Sequence, residues 1–257
     1  MGQAIGKTAS RQAYDFPLFV PGDKPERFAK ALAAAHDAVI IDLEDAVASN
    51  QKGGARDAIA DHAAVIARAE QAVFIRINAR DTPWHENDLA LCAEIPIVGV
   101  VLPKVESGDD LSALAAGLRG DALSIALVET AAGLLALQEI AAEADRLVFG
   151  SIDFCADVGC AHERLALLRP RQDMVIASRI AGLPAPIDGV TTALRDDEAI
   201  KSDAAHAAKL GFGGKLVIHP AQISPARAGF APSDQDVAWA HKVLTASGGR
   251  RLLLMAQ

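Results

Sequence analysis

Two carboxylates stand at the ends of neighbouring apolar runs and suggest a metal site. Glu129 follows the run at residues 124–128, and Asp153 comes shortly after the run at residues 146–149. Mg²⁺ typically takes one or two protein carboxylates and leaves its other positions to water and substrate oxygens. The pair is therefore the best metal candidate, with Asp157 as a fallback ligand. The alternative is that both residues are helix N-caps, because each precedes a helical stretch.

An arginine interrupts another apolar run. Arg76 lies within the sequence VFIRIN at residues 73–78. Because an arginine is rarely buried unless it is paired, it needs a carboxylate or a ligand anion. One interpretation is a structural ion pair with Glu44. The other is a guanidinium that stabilises oxygen charge developing during a reaction.

Three acidic residues, Asp42, Glu44 and Asp45, follow a further apolar run. Like charges raise one another's pKa, so three carboxylates cannot all be buried and ionised without compensation. They could support a bound metal, act as a general base, or be solvated charges at a rim. His219 is better explained as a structural hydrogen-bonding histidine than as a base.

These residues belong to a repeated pattern of one short apolar run followed by one amphipathic stretch. Strands are predicted at residues 16–20, 38–42, 73–77, 97–102, 124–128, 146–149, 186–190 and 215–218. Helices are predicted at residues 25–36, 53–68, 109–118, 131–144, 173–181, 196–210 and 233–246, the last opened by a Ser233 cap. The pattern is typical of helices packed on a parallel sheet, either open or closed.

Two observations favour closure. No Gly-x-Gly-x-x-Gly follows a predicted strand, as the dinucleotide site of an open sheet would require. Polar residues also end nearly every strand, where a (β/α)8 TIM barrel builds its active site. The 257 residues fit one such barrel, and no linker interrupts them, so a single domain over residues 1–257 is predicted.

Charge and cysteine usage exclude several function classes. The net charge of −8 argues against a nucleic-acid partner or an anionic membrane. Three cysteines are too few, and odd in number, for a disulfide framework. No apolar run reaches the roughly 20 residues of a membrane span. We therefore expect a cytoplasmic protein.

Several motifs, in order from about residue 18 to residue 244, resemble the citrate lyase beta-subunit-like proteins. This family lies within the metal-dependent aldolases of the phosphoenolpyruvate-binding TIM-barrel group. Each motif alone is weak, but the ordered set is specific. The motifs are LFVPG at 18–22, IDLEDAV at 41–47, IRIN at 75–78, LPKVE at 102–106, VETAAG at 128–133, FGSIDF at 149–154, IDGV at 187–190 and IHPAQI at 218–223.

The resemblance implies a homotrimeric or hexameric barrel that cleaves a 3-hydroxyacyl thioester of coenzyme A or an acyl carrier into an acetyl thioester and an oxo acid. By this resemblance, the metal is Mg²⁺, with Mn²⁺ possible, and the partner is a small carboxylic acid or its thioester. The residues carried over are Glu129 and Asp153 as metal ligands, Arg76 for substrate, Asp42, Glu44 and Asp45 around the metal-bound waters, and Pro21, Gly22, Pro103 and Lys104 at the mouth for the thioester carrier.

The chain departs from the family pattern at two places. Asp15 stands where family members often carry an arginine. Family chains also continue into a lid with a Gly-(Lys/Gln)-Met-Val-Asp motif that gives an acidic residue to a neighbouring subunit, and this motif does not follow residue 246. We expect the apolar tail at residues 251–255 to pack on the barrel or a neighbour, and the mouth to be more open.

The general base is therefore left open between Glu44, Asp45 and a metal-held water. Two other functions are also left open. One is a metal-dependent retro-aldolase acting on a free hydroxy-keto acid. The other is a barrel that binds an acid or thioester without turnover, as a subunit of a larger lyase.

Overall fold

Eight parallel strands form one curled sheet in the computed structural model, which describes residues 14–246. Each strand pairs with the next one along the chain, so every connection crosses over through helical segments. The strands are β1 Leu18–Pro21, β2 Ala38–Asp42, β3 Ala72–Arg76, β4 Gly99–Leu102, β5 Leu123–Val128, β6 Arg146–Phe149, β7 Ile187–Asp188 and β8 Gly214–Lys215.

The first strand also bonds to the segment that follows the eighth. Leu18 forms a parallel bridge with Val217. The amide of Phe19 donates to the carbonyl of Val217 over 2.9 Å, and the amide of Val217 donates to Pro17 over 3.1 Å. All eight predicted strands are present, but β7 and β8 have only two residues each, fewer than predicted. After β8, Val217 pairs with Leu18 outside the regular ladder.

The helices lie between the strands and after β8. They are α1 Phe28–Ala34, α2 Lys52–Asp61, α3 Ala63–Ala67, α4 His85–Glu94, α5 Gly108–Gly117, α6 Ala131–Leu135, α7 Leu137–Glu143, α8 Ser151–Val158, α9 Leu168–Ile180, α10 Asp197–Leu210, α11 Ile223–Phe230 and α12 Asp234–Ala246. Short 3₁₀ turns occur at Pro25–Arg27, Ser49–Gln51 and Pro220–Gln222.

Two predicted helices are each split in two. The stretch at 53–68 breaks at His62, whose ring nitrogen Nδ1 bonds to the carbonyl of Ala58 over 2.7 Å. The stretch at 131–144 breaks at Ala136. Helices α4, α8 and α11 were not predicted; each has only eight to ten residues, and α11 carries Pro225 in its first turn, where proline is tolerated.

Alternate strand residues face two different cores, as the two-residue period of a strand requires. Residues such as Ile41 and Ile75 pack outward among the helices. Ile40, Phe74 and Leu127 belong to a second cluster inside the curled sheet. Two residues further along the chain, the next inward positions are the charged Asp42 at the end of β2, Arg76 at the end of β3 and Glu129 directly after β5. The strand period therefore directs these three side chains to the inner face of the sheet.

Candidate active site

A cavity of about 220 Å³ opens at the carboxyl ends of the strands. One side carries charge, and the other is apolar. The charged lining residues are Asp45, Arg76, Glu129 and Asp153, and the β5–β6 side adds Leu127, Phe149, Gly150, Ser151 and Ile152. The remaining lining residues, Phe19, Val190, Leu216 and Ile218, form what we term the apolar wall.

Arg76 is held mainly by Asp42, its register partner on the neighbouring strand. Its Nε and Nη2 atoms donate to the two oxygens of Asp42, and Nη1 lies 2.9 Å from Oε2 of Glu44. Burial alone would lower the pKa of Arg76, but the carboxylates of Asp42, Glu44 and Asp45 raise it well above its usual value. Arg76 thus stays charged, belongs to an ion-pair network and also lines the cavity.

The partner expected for Arg76 was Glu44, and the principal one is Asp42. Asp42 is buried and also accepts hydrogen bonds from the amides of Glu44 and Ala46. It therefore shapes the loop after β2 as well as orienting the guanidinium. Asp45 is more exposed, with its Oδ2 atom 3.4 Å from Nη1 of Arg76.

Glu44 lies between two cations. Oε1 accepts a short hydrogen bond from the ammonium of Lys104, while Oε2 faces Arg76. Burial raises the pKa of Glu44, although Arg76 and Lys104 act against that shift. The buried ammonium of Lys52 donates to the carbonyls of Leu43 and Glu44 and fixes the main chain beneath the carboxylate.

Glu129 is buried, and its two oxygens have different surroundings. Oε1 accepts a hydrogen bond from the amide of Lys104 over 3.0 Å, whereas Oε2 has no hydrogen-bond partner. Burial, together with the charges of Glu44 and Asp153, raises the pKa of Glu129 to about 9. Arg76 and Lys104 oppose this shift without outweighing it, so the buried carboxylate is incompletely compensated.

The segment after β6 leaves room for Glu129. A methyl group on Gly150 would overlap with Oε2 of Glu129 and lie 2.5 Å from its Cβ atom. Glycine at this position therefore lets the chain pass directly over the carboxylate and turn into α8.

Asp153 lies in the first turn of α8 and lines the cavity. The interpretation of Glu129 and Asp153 as N-caps is wrong, because Thr130 caps α6 and Gly150 occupies the cap position of α8. Asp157, the fallback ligand, accepts a hydrogen bond from the amide of Ala131 over 2.7 Å.

A divalent cation could be held by Glu129 and Asp153. No group of three or more His, Cys, Asp or Glu side chains within residues 14–246 is arranged to bind a metal. Two carboxylates, one with an unpartnered oxygen, nevertheless fit a cation that keeps water and substrate oxygens in its other positions.

The four predicted mouth residues lie outside the cavity lining. Gly22 packs below the loop after β2, where its amide donates to the carbonyl of Asp42 and a Cβ atom would come within 2.8 Å of that oxygen. Pro21 ends β1 in register with Asp42. Lys104 follows Pro103 and contacts Glu44 and Glu129, as described above. A contact of these residues with a thioester carrier stays a prediction.

Sequence reasoning missed a second network of buried charges, behind β7 and β8. Asp188 accepts from Nε of Arg171 and from the ammonium of Lys215, each over 2.9 Å. Lys215 also pairs with Asp203 over 2.9 Å. Three of these four side chains are almost fully buried. Lys215 beside the apolar run LVI was the available signal, since a lysine is almost never buried without a partner.

His219 has the structural role that the sequence favoured. Its Nδ1 atom accepts from the amide of Ala221 over 3.1 Å, at the start of the turn before α11. Ser233 likewise accepts from the amide of Asp236 and precedes α12, as predicted.

Other expectations concern surroundings and termini. Cys92, Cys155 and Cys160 are all free thiols. In the described part of the chain, no helix has both the length and the apolar character to traverse a bilayer. The apolar tail at 251–255 lies outside the described residues, so its predicted packing stays a prediction. Asp15, which stands where family members often carry an arginine, forms an ion pair with Arg146 over 2.7 Å.

Comparison with known proteins places this geometry in a family. Residues 16–220 match the model of the HpcH/HpaI aldolase/citrate lyase family. A citrate lyase subunit beta-like protein of Mycobacterium tuberculosis is 40% identical over 244 residues, which cover 91% of this chain and 85% of that protein. A (3S)-malyl-CoA thioesterase of Cereibacter sphaeroides is 35% identical over 243 residues, covering 92% and 85%.

A solved structure supports the same family assignment. The protein CitE of Mycobacterium tuberculosis, in complex with magnesium, acetoacetate and coenzyme A, superposes with a TM-score of 0.81 at 35% identity. The match covers 96% of this chain and 93% of CitE. The resemblance indicated by the motifs is thereby confirmed, and the chain belongs to the HpcH/HpaI aldolase/citrate lyase family.

Proposed function

We propose that this protein is a Mg²⁺-dependent carbon–carbon lyase that cleaves a 3-hydroxyacyl thioester of coenzyme A into an acetyl thioester and an oxo acid. The observation that carries the proposal is the buried carboxylate of Glu129, whose Oε2 atom has no hydrogen-bond partner and lies beside Gly150. Asp153, in the first turn of α8, supplies the second carboxylate. The family and the magnesium and coenzyme A of the similar CitE structure support it.

Glu129 and Asp153 would hold Mg²⁺, or Mn²⁺ in its place. When bound, the ion supplies Lewis-acid polarisation of substrate oxygens. Its positive charge also offsets the mutual repulsion of Glu129, Glu44 and Asp153 that raises the pKa of Glu129. The donor set, all carboxylate oxygen, suits a hard cation.

Arg76 would stabilise the negative charge that develops when the carbon–carbon bond breaks. In that step the hydroxyl proton leaves, the carbonyl of the oxo acid forms, and the bonding electron pair passes to the enolate of the acetyl thioester. A guanidinium already fixed by Asp42 needs little reorganisation to meet this charge.

Asp45 is the better candidate for the general base. It lines the cavity, and its side chain is 55% exposed. Glu44 is instead held between Lys104 and Arg76 and lies outside the cavity lining. We therefore assign proton removal to Asp45, or to a water that it orients, and assign the fixing of the cations to Glu44.

Four wider expectations join this proposal. The bridge between Leu18 and Val217 supports full closure of the sheet into a single-domain (β/α)8 barrel. Leu135 and Leu165, 89% and 84% exposed, support a homo-oligomer, trimeric or hexameric, that covers them. The free thiols support a cytoplasmic location. The Pro21–Gly22 and Pro103–Lys104 loops are proposed to lie near the entering carrier.

A second candidate reaction is hydrolysis of the thioester. The similarity to a protein named (3S)-malyl-CoA thioesterase favours it. Hydrolysis would use the same polarised thioester but would leave the carbon skeleton of the acid intact.

Product analysis separates these reactions. Purified protein is incubated with Mg²⁺ and malyl-, citramalyl- or citryl-coenzyme A, and with the free hydroxy-keto acids. The lyase predicts equal amounts of acetyl-coenzyme A and oxo acid, absent with Glu129→Gln. Free coenzyme A thiol with an intact hydroxy acid would identify a thioesterase instead. Cleavage of the free acids alone would identify a retro-aldolase, and binding without any product would identify a non-catalytic subunit.

A further inference from the structure

Lys104 has an unusual main-chain conformation at the metal-binding side of the cavity. Among residues 14–246 it is the one non-glycine residue with a positive φ, at +50°. Few non-glycine residues adopt this left-handed region, and β-branched side chains strongly resist it. Such a conformation persists only where the surrounding structure imposes it, and strained residues of this kind cluster at functional sites.

The neighbouring residues show what imposes it. Pro103 comes before, and the amide of Val105, a fully buried residue, returns to the carbonyl of Leu127 on β5 over 3.4 Å. Between them the amide of Lys104 turns out of the strand ladder and donates to Oε1 of Glu129 over 3.0 Å. The left-handed residue thus directs one main-chain donor at one carboxylate oxygen.

The consequence for Glu129 is an asymmetry between its oxygens. Oε1 is occupied by the Lys104 amide, and Oε2 is left without a partner against Gly150, three residues before Asp153. Glycine would adopt the same conformation more easily but would lack the ammonium that binds Glu44. Lysine at this position therefore combines a strained main chain with a charge.

We propose that Lys104 is a positioning residue whose left-handed main chain orients Glu129, so that Oε2 is the oxygen presented to the cation. The side chain of Lys104 acts separately, by neutralising Glu44. This inference rests on the proposed metal site, and it assigns to the Lys104 amide a task that any residue tolerant of positive φ can perform.

A matched pair of variants tests the main-chain role. Lys104→Asn and Lys104→Val both remove the ammonium and are similar in size, but asparagine tolerates the left-handed region and valine resists it. Binding of Mn²⁺ alone is measured by electron paramagnetic resonance of the free ion. We expect Lys104→Val to bind Mn²⁺ about 10- to 100-fold more weakly than Lys104→Asn, the usual effect of losing a residue that orients a ligand.

Two further variants keep every outcome informative. Lys104→Gly should bind Mn²⁺ as Lys104→Asn does, so the comparison survives if Lys104→Val does not fold. Equal affinity of the Asn and Val variants, or a Gly variant weaker than the Asn variant by tenfold, would overturn the inference. Loss of Mn²⁺ binding in Glu129→Gln identifies the site itself. If Glu129→Gln bound Mn²⁺ like the wild type, the proposed metal site and this inference would both be wrong.

Discussion

Arg76 and Asp42 form a two-point ion pair across neighbouring strands, with Nε 2.7 Å from Oδ1 and Nη2 2.6 Å from Oδ2. The pair joins the last residues of β2 and β3, which are in register. The same guanidinium presents Nη1 to Glu44 and Asp45 and borders the cavity. The side chain of Arg76 therefore links the ends of β2 and β3 and also places a positive charge at the cavity.

The variant Arg76→Lys should lose about 10²–10³-fold in kcat/KM, the usual effect of removing a preorganised donor. Lysine keeps the positive charge, but its ammonium cannot span both oxygens of Asp42. The control is Arg80→Lys, because Arg80 pairs with Asp110 over 2.8 Å near the surface. Steady-state kinetics and a thermal melt of both variants check this. Near-normal turnover of Arg76→Lys would reduce Arg76 to a structural ion-pair partner.

Chelation should abolish activity, and added Mg²⁺ or Mn²⁺ should restore it, because Oε2 of Glu129 has no hydrogen-bond partner and the charge of Asp153 disfavours the ionised form of Glu129. Glu129→Gln and Asp153→Asn should each weaken binding of the metal, measured by titration calorimetry. Asp157→Asn is the matched control, since Asp157 is engaged with the amide of Ala131. Full activity in excess chelator would contradict the metal assignment, and loss of binding only in Asp157→Asn would move the ligand to that residue.

Gly150→Ala should disturb Glu129 directly. The added methyl group overlaps with the carboxylate, and relief of such overpacking typically costs about 1–3 kcal/mol. Gly54→Ala is the control, because nothing lies within 4 Å of a Cβ atom there and the position is helical. We expect weaker Mn²⁺ binding and lower stability in Gly150→Ala, and unchanged binding with equal or higher stability in Gly54→Ala. Unchanged Mn²⁺ binding in Gly150→Ala would show that Glu129 has room to move.

The network behind β7 and β8 should make the protein sensitive to acid. Burial alone would raise the pKa of Asp188, but Lys215 and Arg171 outweigh it and hold that pKa below its usual range. The unfolded chain, with an aspartate pKa of about 3.9, therefore binds this proton at higher pH than the folded protein does. The stabilisation is present above that value and is lost as the pH falls through the lower folded pKa.

Urea unfolding between pH 7 and pH 3 measures this effect. Asp188→Asn should lower the free energy of unfolding at pH 7 by about 3–5 kcal/mol, because the buried Arg171 loses the carboxylate that pairs with it and Lys215 keeps only Asp203. It should also flatten the decline in stability below pH 5. Asp173→Asn, which breaks only the exposed pair with Arg169, is the control. An equally steep acid decline in Asp188→Asn would show that other carboxylates govern it.

The sequence predicted the strands and the residues at their ends well, because the period of two residues places Asp42, Arg76 and Glu129 on the same face as Ile40, Phe74 and Leu127. Strands β2 and β6 have the predicted bounds. Hydrophobic pattern and turn residues are local signals, and they are enough to predict elements of this length.

The contacts between the side chains at the strand ends could not be predicted from the sequence in the same way. Arg76 has three carboxylate neighbours, and their distances from the guanidinium depend on the conformation of the loop after β2. Likewise, the pairing of Lys215 with Asp188 and Asp203 joins three separate segments of the chain. Only the packed structure brings such charges together.

The division of the cavity into a charged side and the apolar wall has a consequence for how substrate preference can change. On the charged side Arg76 and Asp45 belong to an ion-pair network and Glu129 is packed against Gly150, so substitutions there change the charges of the site and its packing together. Val190 and Ile218 on the apolar wall make no side-chain hydrogen bond or ion pair that a replacement would break, and Ile218 is 41% exposed. Swaps of size at these two positions would change the volume of the cavity without breaking a polar contact. We therefore expect the preference for substrate size to change most easily, by selection or by design, through substitutions of Val190 and Ile218 in the apolar wall.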